Sequence, residues 1–396
     1  MKMLKIALNV ALLGILIWFL AAHQQRIGRS ILGRDSLAYW AAGKFLVHSE
    51  NPYSPANVMA LQQSQGYAAA RPLMLRTPPW SLWMVLPLGW LSSFWAWVVW
   101  EGILLFSLII ALRLLWRIYG TSQRPPVVFL LAGYGFAAVP ACLAAGQMGI
   151  VLALGIVLFF FFEQDDGFLA GAALLIPFTK PHIFSLIWLI LAVWVVSRRR
   201  WSVLAGFGSG LLLSTGVAIS LDPAVFWHYR EMLSQAAIQK EFIPSFAGMV
   251  RLLFFRRFFV AQFVPLCAGL IWSGAYYWRN RGDWSWREHG PALLLVSVVT
   301  TPYSSWMADE AILLPAILVG VLWMHRAKLN IRSRLVVLMF ILLNVLLLLI
   351  LRAQVQPSSG IYFWSSLVWL GWYRYARSFR CGREAVRQPS PDLLQV

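Results

Sequence analysis

Long apolar runs recur from one end of this chain to the other, separated by short breaks rich in Arg, Lys, Pro or Gly. Only two longer polar segments, residues 23–77 and 221–257, interrupt them. A hydrocarbon core takes about 20 residues of helix per crossing, so the pattern predicts an all-α, polytopic transmembrane helical bundle. Spans are expected at 6–22, 95–116, 127–145, 150–162, 168–178, 183–196, 201–220, 258–278, 291–300, 311–323, 335–351 and 362–373. Pro87 and Gly89 break the stretch from Trp80, which predicts a partial re-entrant segment before the full span at 95–116. The segment 23–77 predicts a short interfacial helix over 36–47, a turn at Asn51-Pro52-Tyr53-Ser54-Pro55, and a second short helix over 56–65. One integrated transmembrane domain is expected over 1–375, with a basic, disordered cytoplasmic tail over 376–396.

Composition agrees with that class: 60% of the 396 residues are hydrophobic and 12% charged, with a mean hydropathy of +0.68. The net charge of +18 would suit nucleic acid on a soluble protein. Here the basic residues fall between spans, as at Arg198-Arg199-Arg200 and Arg326-Ala327-Lys328, so they read as topology signals and no nucleic-acid partner is expected. Lys2 and Lys5 precede the first span, and Ala22-His23-Gln24 is a weak cleavage site, so the first helix is expected to be retained. The positive-inside rule then puts both termini and the basic clusters at 198–200, 279–287, 326–334 and 374–387 in the cytoplasm of a multi-pass cell-membrane protein. Residues 23–77 and 221–257 lie outside.

That parse gathers Asp35, Gln147, Lys180, His182, Asp309 and Glu310 at the outer ends of helices. A polar group in apolar surroundings is costly without a partner, so the set is a candidate site. Asp35 reads as a general base or as the cap of the helix after it. Lys180 and His182 read as a phosphate clamp, or Lys180 as a lysine extending to the interface. Gln147, within Ala145-Gly146-Gln147-Met148-Gly149, lines a polar cavity or a tight turn, and Asp309 with Glu310 bind sugar, share acid–base duty or cap a helix. Arg76 and Arg251 rank lower, as phosphate ligands or interfacial anchors. The tryptophans read mostly as an interfacial belt. Cys142 and Cys267 lie in apolar segments and Cys381 in the basic tail, which indicates no disulfide framework. The absence of Walker, GxSxG, HExxH and CxxC motifs removes support for ATP hydrolysis, serine hydrolysis, zinc-peptidase and thiol redox chemistry, and no cofactor or metal is expected.

In the order of its elements the chain resembles glycosyltransferase family 87, integral membrane enzymes of the GT-C class similar to polyprenyl-phosphate-mannose-dependent α-mannosyltransferases. The resemblance is carried by Asp35 to Tyr53 with its Tyr39-Trp40-x-Ala-Gly and Asn51-Pro52-Tyr53 elements, Thr77-Pro78-Pro79, Gly146-Gln147, Ala170-Gly171 leading to Lys180-Pro181, Ser245 to Arg251, and Thr301-Pro302-Tyr303 to Asp309. It implies that Asp35 deprotonates an acceptor hydroxyl in an inverting displacement. The implied donor is a polyprenyl phosphate sugar, the acceptor a lipid or glycan at the extracytoplasmic face. Tyr39, Asn51, Tyr53 and Tyr303 fall among the implied sugar or acceptor contacts, beside Gln147, Asp309 and Glu310. The chain departs from the pattern at Ile243-Pro244-Ser245 and has no His between Pro302 and Asp309. A transporter or flippase of a lipid-linked sugar is the other reading, although no internal repeat of the kind that marks transporters is evident.

Overall fold

The computed structural model describes residues 18–236, 245–255, 258–303, 306–327, 331–353 and 362–387. Most of the expected first span, Ile243-Pro244, Ser304-Ser305 and residues 388–396 lie outside them. Every regular element among the described residues is helical. Four helices are long and apolar enough to cross a membrane, or six if each of two bent pairs counts as one span. The protein is therefore a multi-pass membrane protein built as a helical bundle.

After a short helix α1 (Gln24–Ile31), α2 (Asp35–Val47) and α3 (Pro55–Ser64) form the first loop, within a residue or two of expectation. Ser54 caps α3 by accepting from the Asn57 N–H. The Tyr53 hydroxyl, buried, donates to the Thr77 carbonyl at 2.8 Å and ties the Asn-Pro-Tyr turn to the end of the loop. The segment expected to be re-entrant is a pair of 3-10 turns, Pro79–Met84 and Leu86–Trp90. Pro79 and Pro87 withhold the amide protons a continuous helix would need. These turns pack on α2 so closely that a Cβ on Gly43 would lie 3.0 Å from the Gly89 nitrogen, and Trp40 Nε1 donates to the Leu91 carbonyl at 3.0 Å. α2 is thus braced against the bundle.

The 27-residue α4 (Ser93–Tyr119) follows, then α5 (Val127–Gly135) and α6 (Ala138–Ala145), which share the expected span 127–145 but bend by 43°. α7 (Gly149–Phe162) runs to a polar turn where Asp166 caps α8 (Gly167–Ala173). Two 3-10 turns, Pro177–Thr179 and Pro181–Phe184, lead into α9 (Ser185–Ser197), and the path from Gly167 to Ser197 bends by 118°. α10 (Trp201–Leu221) presents Leu212 and Leu213 outward. The second loop carries α11 (Val225–Gln235) and α12 (Phe246–Phe254), followed by a 3-10 turn and α13 (Val264–Asn280). α14 (Trp286–Thr300), the 3-10 turn Asp309–Leu313 and α15 (Leu314–Arg326) are buried along most of their length, which suits a central position. α16 (Ile331–Arg352) packs on the bundle along one narrow side, with only 17% of its apolar window buried. The last helix, α17 (Ser365–Arg387), runs eleven residues or so beyond the expected boundary at 376, so the proximal tail continues a helix rather than ending it.

Basic residues and helix ends fix the two poles of the bundle. At one pole Arg287 donates to the carbonyls of Phe160 and Phe161, capping α7, while Arg326 donates to the Tyr119 carbonyl and Arg198 to those of Arg281 and Gly282. The other end of α7 begins at Gly149, packed against Ala308 and Asp309. Fourteen residues separate the ends of α7, about 21 Å at 1.5 Å per residue.

Candidate functional site

The pole opposite the arginines collects polar side chains from four elements distant in sequence. Each is delivered by a break in a helix. At the end of α6 the chain turns on Gly146, at φ 65° and ψ 28°. The Gln147 N–H bonds the Cys142 carbonyl at 3.0 Å and the Gly146 N–H that of Leu143 at 3.1 Å, the paired bonds of a glycine-terminated helix. A left-handed residue with a side chain would be strained here. The Gly146 carbonyl accepts from Trp100 Nε1 at 2.8 Å, and the Trp100 ring packs edge-on against Tyr39.

Lys180 sits where Pro177 and Pro181 break the helical path. The carbonyls freed by this break find partners across the bundle: Ser297 donates to Ile183 at 2.7 Å and Thr301 to His182 at 3.1 Å. Trp80 donates to the Phe178 carbonyl at 3.0 Å and stacks on its ring. Irregular backbone at membrane depth is stable only when protein groups satisfy it in this way.

The side chains then meet. Lys180 Nζ lies 2.8 Å from Asp309 Oδ1 and 3.0 Å from Gln147 Oε1. Tyr39 donates to the same Oε1 at 3.3 Å, and Gln147 Nε2 donates to Asp35 Oδ2. Asp309 is 2% exposed, so its carboxylate has exchanged water for the ammonium. Asp35 opens α2 but makes no capping bond, and Arg34 holds the cap position. Burial pushes the Asp35 carboxyl up to about 6, with Asp309 adding to the rise while Lys180 and the Gln147 bond oppose it. Its acid form and its base form are therefore both accessible near neutral pH.

His182 is adjacent, its Nε2 buried without a hydrogen-bond partner and its ring 6.4 Å from that of Tyr303. Tyr303 packs against Phe259 and Phe263. Arg251 stacks over Phe259 and donates to Gln262 Oε1 at 2.9 Å, and Gln262 Nε2 donates to the Pro302 carbonyl, so Arg251 joins the same side of the bundle through the second loop.

Glu310, Asn51 and Tyr53 meet other partners. Glu310, fully buried, faces α17 and accepts from Ser365. Successive residues of a 3-10 turn point about 120° apart, which is why the two adjacent acids diverge. Asn51 accepts the Tyr53 N–H at 2.8 Å, and Tyr53 and Tyr229 pack together, so this pair braces the loop. The Arg76 carbonyl accepts from the Tyr229 hydroxyl. Arg34 pairs with Glu101 at 3.5 Å and lies over Trp97, which itself donates to Glu101 at 3.0 Å. Sequence reasoning passed over Glu101, although one carboxylate in a 27-residue apolar helix is a recognisable signal. A cavity of about 350 Å³ opens beside it, lined by Gln24, Ser36, Gln65, Ser93 and Trp97 among others, one residue from Asp35. Asp35 and Asp309 could between them face a cation, but the Lys180 ammonium already does so. Among the described residues no group of three or more His, Cys, Asp or Glu is placed to hold a metal ion.

No curated protein and no solved structure matches the chain significantly. The family model for glycosyltransferase family 87 matches residues 77–353, well over half of the chain. Gln147, Lys180, His182, Arg251, Tyr303 and Asp309 lie within that match, whereas Asp35 and Tyr39 precede it. Taken with the apolar helices, this match makes the chain a membrane-embedded member of glycosyltransferase family 87.

Proposed function

We propose that the protein transfers a hexose, mannose in the first instance, from a polyprenyl phosphate sugar to a hydroxyl of a lipid or glycan, at the extracytoplasmic face of the cell membrane and with inversion. The observation that carries this reading is the network Asp35–Gln147–Lys180–Asp309, a carboxylate and an ammonium held side by side at the pole away from the basic clusters. With those clusters in the cytoplasm, the network faces outward. A nucleotide sugar would be on the wrong side of the membrane, and a lipid-linked donor would not.

In the reaction the acceptor oxygen attacks the anomeric carbon while Asp35 takes its proton. The bond from that carbon to the phosphate oxygen breaks, and the electron pair leaves with the phosphate. An ammonium has three N–H donors. Lys180 uses one on Asp309 and one on Gln147, which leaves a third for a phosphate oxygen, with His182 two residues along the chain. Arg251 extends the positive side, and exposed Leu253, Phe254, Phe258 and Val260 around it offer the polyprenyl tail an apolar surface. The cavity bordered by Ser36 and Trp97 suits the acceptor.

The test is purified protein in lipid vesicles with radiolabelled sugar presented on polyprenyl phosphate or on a nucleotide. Transfer from the lipid-linked donor alone is the expected result. Transfer from the nucleotide sugar, or movement of the lipid donor between leaflets without transfer, would overturn the proposal.

A further inference from the structure

We propose that Gln147 is the positioning residue for Asp35, its amide oriented by Lys180 and Tyr39 so that it can only donate to the carboxylate. The inference rests on Asp35 being the base.

A primary amide can usually exchange its oxygen and nitrogen by rotating half a turn. Here Oε1 receives the Lys180 ammonium at 3.0 Å and the Tyr39 hydroxyl at 3.3 Å. An ammonium has no lone pair to accept with. The flipped amide would set its NH2 against that ammonium and its oxygen against the Asp35 carboxylate, placing donor on donor and acceptor on acceptor. The network therefore selects one orientation.

The backbone of Gln147 is fixed as firmly as its side chain. Its N–H bonds the Cys142 carbonyl at 3.0 Å and its carbonyl accepts from Cys142 Sγ at 2.9 Å. Lys180 in turn is held by Asp309. The result is a chain of charge-assisted bonds from Asp309 through Lys180 and Gln147 to Oδ2 of Asp35. Oδ1 remains for the acceptor hydroxyl.

The charged and titratable groups that face Asp35 are Lys180, Asp309 and the phenols of Tyr39 and Tyr67. Lys180 favours the ionised carboxylate and Asp309 disfavours it. The Gln147 bond is the one neutral interaction that favours the ionised form, and it also sets the direction of the carboxylate.

Gln147→Glu separates positioning from bracing. The glutamate still accepts from Lys180 and Tyr39 but presents a second acceptor to Asp35. If Gln147 positions the base, the acid limb of the pH profile of kcat/KM moves up by at least about one pH unit. kcat then falls at least about tenfold, while the donor KM stays within about threefold. Gln147→Met removes the donor without adding a charge and should also move the limb upward, by less than Gln147→Glu does. Tyr39→Phe, which removes one of the two bonds that orient the amide, serves as a milder variant should the others unfold, and its expected change is an upward shift of the limb with a melting temperature within a few degrees of wild type.

Asp35→Asn is measured in parallel. An inactive Asp35→Asn with a wild-type acid limb and kcat in Gln147→Glu would overturn the positioning role and leave the base in place. An active Asp35→Asn would remove the base itself.

Discussion

Replacing Lys180 by Met would remove the cation from a buried pair and leave the Asp309 carboxylate, 2% exposed, without a counter-charge. At 2.8 Å the gross attraction is about 6 kcal/mol for an effective dielectric constant of about 20. Desolvation of both ions offsets much of this. Breaking such a pair from one side still costs about 3–5 kcal/mol, because the stranded charge keeps its desolvation penalty and loses its compensation. The lost bond to Gln147 adds about 1 kcal/mol. In detergent or nanodiscs the melting temperature of Lys180→Met should fall by on the order of 5–10 °C. Adding Asp309→Asn removes the stranded charge and should recover most of that loss, although transfer should stay low in both variants, which lack the ammonium proposed to hold the phosphate. Wild-type stability in Lys180→Met, or a double variant less stable than Lys180→Met, would refute the argument that the pair is a buried and mutually dependent unit.

Two further outcomes follow from the same geometry. Transfer should rise with pH through about 6 and level off above it, since burial raises the Asp35 carboxyl to that value and only the ionised form accepts a proton; a flat rate between pH 5 and 7, as read in buffered vesicles, would contradict the assignment. Gly146→Ala should lower the melting temperature by a few degrees and kcat with it. Its backbone is left-handed and its new Cβ would sit 3.1 Å from the Ser36 side chain, for a strain of about 1–2 kcal/mol. An unchanged melting curve would show that the turn tolerates a side chain.

The class of the protein was legible because lipid leaves so few options: long apolar runs must be helices when every backbone group has to be satisfied internally. The first loop was legible for local reasons, with the helix at α2 and the Asn-Pro-Tyr turn both signalled by nearby residues. What the sequence did not reveal was tertiary. The prolines after Thr77 were visible, but not the packing of their 3-10 turns on α2, where Gly43 meets Gly89 across more than forty residues. The bend at Lys180 was visible in its two prolines, but not the hydroxyls of Ser297 and Thr301 that stabilise it from α14. Asp309 and Glu310 looked alike in sequence, and only the turn that carries them separates one toward Lys180 from the other toward Ser365. α17 runs past its expected limit to Arg387, and Ala376, at that limit, is buried in the bundle.

The role of Asp35 is open to a direct measurement, and its stability linkage makes that measurement clean. The folded-state value lies above the usual 3.8, so the contribution of Asp35 to stability is fully present below about 4 and is lost as pH rises through about 6. Ionised Asp35 thus costs the fold up to about 3 kcal/mol at neutral pH, an upper bound because the side chain keeps some solvent contact. Asp35→Asn should therefore melt no lower than the wild type at pH 7. The decisive experiment is sugar transfer from a polyprenyl phosphate donor by Asp35→Asn, with donor binding and melting temperature recorded on the same preparation. A folded, donor-binding variant with transfer reduced at least about 1000-fold is the expected outcome; transfer within a few-fold of wild type would contradict the account at its centre.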